Sequence, residues 1–231
     1  MTVMGILNRG FARQSAALAG LALVSAIPAH AASYLTVETT TYEWTQETAG
    51  GSAAPAAFNP VIASFGPFRV VSAERAELVG SIEGDTPALF AALLRAYPGI
   101  RQIDMIECPG TGDDEANLKL ARMIRSAGIA THVPARGSVR SGGVELFLAG
   151  VRRSADPGAE FAVHSWLDED GLQASDFAPS DPVHQAYLAF YREMGMDGAK
   201  ARAFYALTNS VSFDDALYLK PRDIAAYIAL N

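Results

Sequence analysis

Ser141, Gly142 and Gly143 stand at the head of the apolar run Val144 to Gly150, and His164 closes the next apolar run, Phe161-Ala162-Val163. Serine and histidine are the pair with which a hydroxyl becomes a nucleophile, the imidazole taking its proton as the oxygen attacks an acyl carbon. The glycines serve the same chemistry. Lacking Cβ atoms, they let a carbonyl oxygen approach the N–H groups that open a helix, which have no partner inside it. Ser141 and His164 are therefore candidate nucleophile and base, with an oxyanion site expected beside them. Each also has a plainer role. Ser141 could be the N-cap of the following helix, and His164 a hydrogen-bonded histidine at a strand end.

Other residues compete for supporting parts. Arg136, Arg140, Arg152 and Arg153 flank the Ser141 helix in sequence. A solvated rim is their ordinary role; converging on a cleft, they would favour a carboxylate or another anionic group. Glu145 falls one turn after Ser141 on an otherwise apolar helix, where it would favour the helix dipole or line the site. Cys108 is the only cysteine, so no internal disulfide is possible, and it reads as a small apolar residue at a strand end. No pair among His30, His132, His164 and His184 has the spacing of a zinc motif, so neither a metal nor a cofactor is expected. His132 and His184 read as structural.

The elements that must position these residues alternate between short apolar runs and longer helical patterns. Strands are expected over 77–82, 103–107, 129–133 and 161–163. Helices are expected from Pro87 to about Ala96, over 115–127 with Gly128 as the stop, over 143–149, and from Asp181-Pro182 onward. Leu118, Ala121, Met123 and Ile124 would share the apolar side of the second helix; Val183, Tyr187, Phe190 and Met194 would share a face of the last. Alternation of this kind specifies an α/β fold with a mainly parallel sheet.

The leading segment reads as an address. Arg9 and Arg13 precede the apolar stretch Ala16 to Ile27, and Ala29-His30-Ala31 has the small-x-small form of a cleavage site. Residues 1–31 are thus expected to be a signal peptide, leaving a periplasmic or secreted chain without a membrane anchor. Its removal takes two arginines and no acid, moving the formal charge from −7 to −9. So acidic a chain is a poor match for nucleic acid or an anionic membrane surface. Residues 32–65, with a strand over 34–45 and a small-residue linker over 49–57, are expected to precede one domain at 66–231.

The stretch from Ala76 to His164 resembles the Clp protease proteolytic subunit and its relatives in the ClpP/crotonase superfamily. Leu78-Val79-Gly80-Ser81-Ile82 is similar to the strand opening that family's repeated unit. Cys108-Pro109-Gly110-Thr111-Gly112 is similar to its Ser-Pro-Gly-Gly turn, and Arg140-Ser141-Gly142-Gly143 to its nucleophile turn and to the Ser-Gly-Gly of signal peptide peptidases. Val163-His164 falls where its catalytic histidine lies. With the leader, the chain resembles periplasmic ClpP-like serine hydrolases. The resemblance implies repeated ββα units, a sheet flanked by helices, and a peptide or acyl substrate. It also implies a homo-oligomer, Ser141 as nucleophile, His164 as base, and the N–H groups of Gly110 and Gly142 as oxyanion hole. Both turns should then lie at neighbouring strand ends on one side of the sheet. Arg140 and Thr111 would touch substrate. Thr111 stands where the family has its second glycine. The family's acid falls here near Asp214 or Asp215, in what reads otherwise as a solvated turn. Asp168 is a rival, and Asp181 before Pro182 is more simply a helix cap. Two other readings stay open: a ClpP-like binding or assembly module without catalysis, and acyl-CoA chemistry, which export disfavours.

Overall fold

The computed structural model describes residues 60–231. The leader, the strand expected over 34–45 and the linker over 49–57 lie outside the described residues.

Nine strands form one sheet. Strands β1 (Ala63–Phe65) and β2 (Phe68–Val70) make a hairpin, and β2 continues antiparallel into β3 (Arg75–Val79). Ala63 to Phe65, within the segment expected to precede the domain, pair with β2 in this sheet. Helix α1 (Thr86–Ala96) then leads to β4 (Gln102–Cys108), parallel to β3. Helix α2 (Asp114–Ser126) follows, and then two strands, β5 (Ala130–Val133) and β6 (Ser138–Arg140). Helix α3 (Gly142–Ala149) is likewise followed by two, β7 (Arg153–Ala155) and β8 (Glu160–Val163). The chain ends in α4 (Pro182–Glu193), α5 (Gly198–Thr208), β9 (Leu217–Leu219) and the short α6 (Pro221–Ala225). The α/β class is as expected: a mostly parallel sheet flanked by helices.

Strand β4 is where the sheet divides. Its first residues, Gln102 to Asp104, pair with β5, which passes on to β7. Its last residues, Glu107 and Cys108, pair with β6, which passes on to β8 and then to antiparallel β9. Along the second branch β3, β4, β6 and β8 run parallel, so their C-terminal ends open on one edge. In an open parallel sheet the loops leaving that edge are where ligands bind.

Burial fixes these elements. Helix α3, apolar but for Glu145, is buried from Gly143 to Ala149, so it belongs to the core rather than to a surface. Phe147 packs on Phe161 of β8 at 4.9 Å between ring centres, and Phe68 on Phe90 at 5.1 Å. Each such ring contributes roughly 2–3 kcal/mol by leaving water. Helix α2 starts at Asp113, whose carboxylate accepts from Ala116 N–H at 2.9 Å. Its buried stripe is Ala116, Asn117, Leu120, Ala121 and Ile124, while Leu118 and Met123 are only partly covered. Of the face expected on α4, Phe190 and Met194 are buried and Tyr187 is partly covered, while His184 and Tyr191 are buried beside them. The strands β2, β6, β7 and β9 have three residues each and escape periodicity; β3 ends at Val79, three residues before the expected Ile82.

Candidate functional site

Two turns meet at the edge where the parallel strands end. Cys108-Pro109-Gly110 leaves β4 and Ser141 leaves β6, and these strands are paired through Glu107–Ser138 and Cys108–Val139. Gly110 has φ +135°, and a methyl group there would lie 2.8 Å from Ser141 Cβ and 3.3 Å from Ser141 Oγ. Only glycine satisfies both the angle and the approach. Gly142 closes the other side: a Cβ there would lie 2.6 Å from Thr111 Cγ2 and 2.8 Å from Asn117 Nδ2. Both glycines are thus required by the contact between the turns.

Ser141 is the only non-glycine among the described residues with positive φ, at φ 49° and ψ −131°. Side chains avoid this region, and holding one there costs on the order of 1–3 kcal/mol unless the surroundings impose it. Here they do: Ser141 N–H bonds Ala162 O of β8 at 2.9 Å, while Ser141 O accepts from Val144 N–H at 2.9 Å. The side chain does not cap α3, which removes the plain alternative for this serine. Oγ is left without a hydrogen-bond partner among the described residues, at the start of a helix whose first N–H groups have no partner inside it.

His164 continues β8 one residue beyond Val163, so the β6–β8 ladder brings it to the same edge as Ser141. Its Nδ1 lies 2.8 Å from Ser165 O. A carbonyl only accepts, so Nδ1 donates this bond, which in the neutral ring leaves the lone pair on Nε2, the form a general base needs. Phe213 packs edge-on against the ring at 5.0 Å. Ser141 and His164 line one cleft of about 910 Å³ without a hydrogen bond between them.

Several expected roles change. Asp214 and Asp215 are exposed, and Asp215 accepts from Ser212 Oγ at 2.9 Å in its own turn. Neither lines the cleft; the Nδ1 position expected for a carboxylate is filled by the Ser165 carbonyl. Asp168 lines the cleft but accepts from Asp170 and Leu172 N–H, and Asp181 caps α4 through Val183 N–H. Arg140 turns away: Nη2 bonds Glu107 at 2.5 Å and Nη1 bonds Ser138 Oγ at 2.8 Å. Arg153 is buried against the carbonyls of Leu148 and Met194. Arg136 and Arg152 are exposed, so the four arginines do not converge on the cleft.

The first turn changes too. Gly110 does not line the cleft, and its N–H acts on the Cys108 sulfur, slightly offsetting the burial that pushes this thiol up to about 12. Cys108 is therefore an inert core residue. Thr111 does line the cleft. Its hydroxyl is used inside the turn, accepting from Asp113 N–H at 2.9 Å and lying within hydrogen-bond distance of Ile82 O and Asp113 O. Among the described residues the backbone N–H groups of Thr111 and Gly142, on either side of Ser141, carry no hydrogen bond.

The wall opposite the turns comes from α4, α5 and the segment after His164. Trp166 stacks on Tyr187 at 6.1 Å and 9°, and donates from Nε1 to Tyr205 Oη at 2.9 Å. His184 Nδ1 shares a 2.7 Å hydrogen bond with the same hydroxyl, and His132 pairs with Ser154 away from the cleft; both histidines are structural. Glu145 is 8% exposed and accepts from Tyr191 Oη at 2.8 Å. Burial, only partly offset by that bond, pushes its carboxyl up to about 7. Asn117 donates from Nδ2 to Gly142 O at 2.8 Å, fixing the start of α3 from α2. Trp166, Tyr191, Tyr205 and Asn117 went unnoticed in the sequence, and Tyr187 was read only as part of a helix face. Asn117 could have been found as the one amide on a buried helix stripe, and Tyr187 and Tyr191 by their i, i+4 spacing.

Among the described residues no three histidine, cysteine or carboxylate side chains are grouped to hold a metal ion, and no helix is long and apolar enough to cross a membrane. No protein-family model matches the chain, and no curated protein is significantly similar to it. Solved structures are similar at low identity. The membrane-bound stomatin-specific protease 1510-N, in complex with a substrate peptide, aligns at 16% identity and TM-score 0.47, covering 68% of this chain and 72% of that one. A ClpP1 variant from Listeria monocytogenes aligns at 18% and 0.47, covering 67% and 87%. The 1510-N protease from Pyrococcus horikoshii aligns at 17% and 0.43, covering 67% and 69%.

Proposed function

We propose that the chain is an exported serine hydrolase, peptidase-like in its substrate, working through a Ser141–His164 pair and backbone N–H groups. The observation that carries this reading is Ser141 itself: a strained, uncapped hydroxyl held at the mouth of a buried helix, on one cleft with a histidine whose Nε2 is free. Strain of this kind persists where the surrounding fold imposes it, and it concentrates at reacting groups.

In this reading Ser141 Oγ attacks an acyl carbon while His164 Nε2 takes its proton. The Ser165 carbonyl holds Nδ1–H and favours the imidazolium that forms, the part a carboxylate would play. The N–H of Gly142 and the N–H of Thr111, in place of Gly110, donate to the oxyanion. His164 then returns the proton to the leaving group, and a water molecule releases the acyl chain by the same path. Closure of the Ser141–His164 gap accompanies substrate entry, since catalytic hydrogen bonds often tighten only in the complex. Export belongs to the proposal through the leader expected over residues 1–31, and assembly into a homo-oligomer through the family resemblance.

The missing Ser141–His164 hydrogen bond and the carbonyl in the acid's place favour a second reading, a cleft that binds peptide without cleaving it. Turnover of a p-nitrophenyl ester and of a quenched fluorescent peptide separates the two. Turnover lost in Ser141→Ala and in His164→Ala supports the hydrolase; wild-type protein that binds peptide and never turns over either substrate supports the binding module.

A further inference from the structure

Asp113, Asp114, Glu115, Glu145, Asp168 and Glu169 line the cleft, and no lysine or arginine among the described residues does. The sequence ahead of the described residues changes this little: positions 32–59 contain neither lysine nor arginine, and Arg9 and Arg13 are the only ones before them.

Within this acidic cleft one carboxyl is in an unusual position. Glu145 is buried, four residues after Ser141, with the Tyr191 hydroxyl as its only side-chain partner. The ionisable groups that act on it or feel it from the packed elements are Asp114 of α2, Tyr187 and Tyr191 of α4, and Cys108 of β4. None is cationic. A buried carboxylate without a positive partner is unfavourable, which is why burial holds this one near neutrality rather than fully ionised.

An independent observation points the same way. Asn117 is 2% exposed and lines the cleft; its Nδ2 is taken by Gly142 O, and its Oδ1 has no partner among the described residues. A buried amide oxygen left open is an acceptor waiting for a donor. The opposite wall offers the stacked rings of Trp166 and Tyr187, whose faces attract cations. Carboxyl, amide oxygen and aromatic faces have one ligand in common, a cation rich in N–H donors.

We propose that the cleft beside Ser141 takes an ammonium or guanidinium group, presented by a lysine or arginine side chain near the scissile acyl group, with Glu145 and Asn117 Oδ1 accepting from it. This rests on the hydrolase reading for its acyl group but not for its cation site. The carboxylates at the mouth steer the basic segment inward, and the arriving charge draws Glu145 into its ionised form with release of a proton.

The test uses Ser141→Ala protein, which cannot turn substrate over, and the anisotropy of labelled peptides of equal length centred on Lys-Arg, Leu-Leu or Glu-Glu. The basic peptide is expected to bind about tenfold more tightly than the apolar one, with the acidic one weakest, and the preference is expected to shrink at high salt. Its affinity should rise from about pH 6 to pH 8 as Glu145 ionises. Glu145→Gln, which keeps an acceptor for Tyr191, should flatten that rise and cost about fivefold or more in affinity. The exposed pair Glu115→Gln with Glu169→Gln should weaken the preference through steering alone, and serves if the buried exchange fails to fold. Displacement of the basic peptide by spermidine would identify the cation itself as the recognised group; resistance to spermidine would assign recognition to the side chain in its peptide. Equal binding of the three peptides, or a preference untouched by these exchanges, would overturn the proposal. A cation preference in protein that never reacts with a fluorophosphonate would instead remove the hydrolase reading and leave this site standing.

Discussion

The two walls of the cleft are held by different means. The Ser141 wall is backbone: the ends of paired parallel strands, two glycines at contact distance and a helix buried on every side. The opposite wall is side chain: a hydroxyl shared by Trp166 and His184, a tyrosine stacked on a tryptophan, and a loop that brings Phe213 against His164. A wall made of backbone fixes atoms to fractions of an ångström and tolerates little change. One made of long side chains can re-pack around different partners. On the proposed reading, positioning of the reacting oxygen falls to the first wall and selection among substrates to the second.

The sharpest break in this comparison should come from the reacting pair. Ser141→Ala and His164→Ala should each reduce ester turnover by about 10³–10⁴-fold. Ser141→Ala should not move the melting temperature by more than about 2 °C, because Ser141 Oγ holds no hydrogen bond.

Glu145 gives the next largest effect, read in stability against pH. Its folded-state carboxyl is raised from 4.5 to about 7 by burial, so the folded state holds the proton more tightly than the unfolded chain does. The resulting stability is fully present below about pH 4.5 and is lost as pH rises through about 7, on the order of 3 kcal/mol. Urea unfolding of wild type and Glu145→Gln across that range should differ by this slope, the Gln protein lacking it.

Gly142→Ala probes the backbone wall. With Thr111 Cγ2 2.6 Å from the added carbon, the turns must separate. Destabilisation of about 2 kcal/mol is expected, with turnover lost beyond what that stability change explains. Ser141→Gly works in reverse: relieving the positive φ should stabilise the fold by about 1 kcal/mol while removing activity. The smallest effect is expected on the outer side. Asp214→Asn and Asp215→Asn should change turnover less than about threefold, since neither carboxylate touches His164.

What the sequence disclosed follows the same division. The Ser141 turn was legible because a serine before two glycines and a buried apolar run leaves few places for the chain to go. The parallel sheet was legible because runs such as Ile103 to Glu107 alternate with capped helices. The companion of His164 was not, because a backbone carbonyl leaves no trace in residue type; a carboxylate was expected where Ser165 O stands. Arg140 misled for a related reason: Glu107, which holds it, is far away in sequence and adjacent only across the β4–β6 pairing. The aromatic wall draws Trp166, Tyr187 and Tyr205 from three separate segments, so no local pattern announced it.

The claim that Ser141 is the reacting group is tested most directly by an alkyl fluorophosphonate followed by peptide mapping. Wild-type protein is expected to gain one adduct, on the peptide carrying Ser141, with none in Ser141→Ala and a large loss of labelling rate in His164→Ala. A wild-type protein that stays unlabelled at saturating probe, or an adduct mapped to any other residue, would contradict the account.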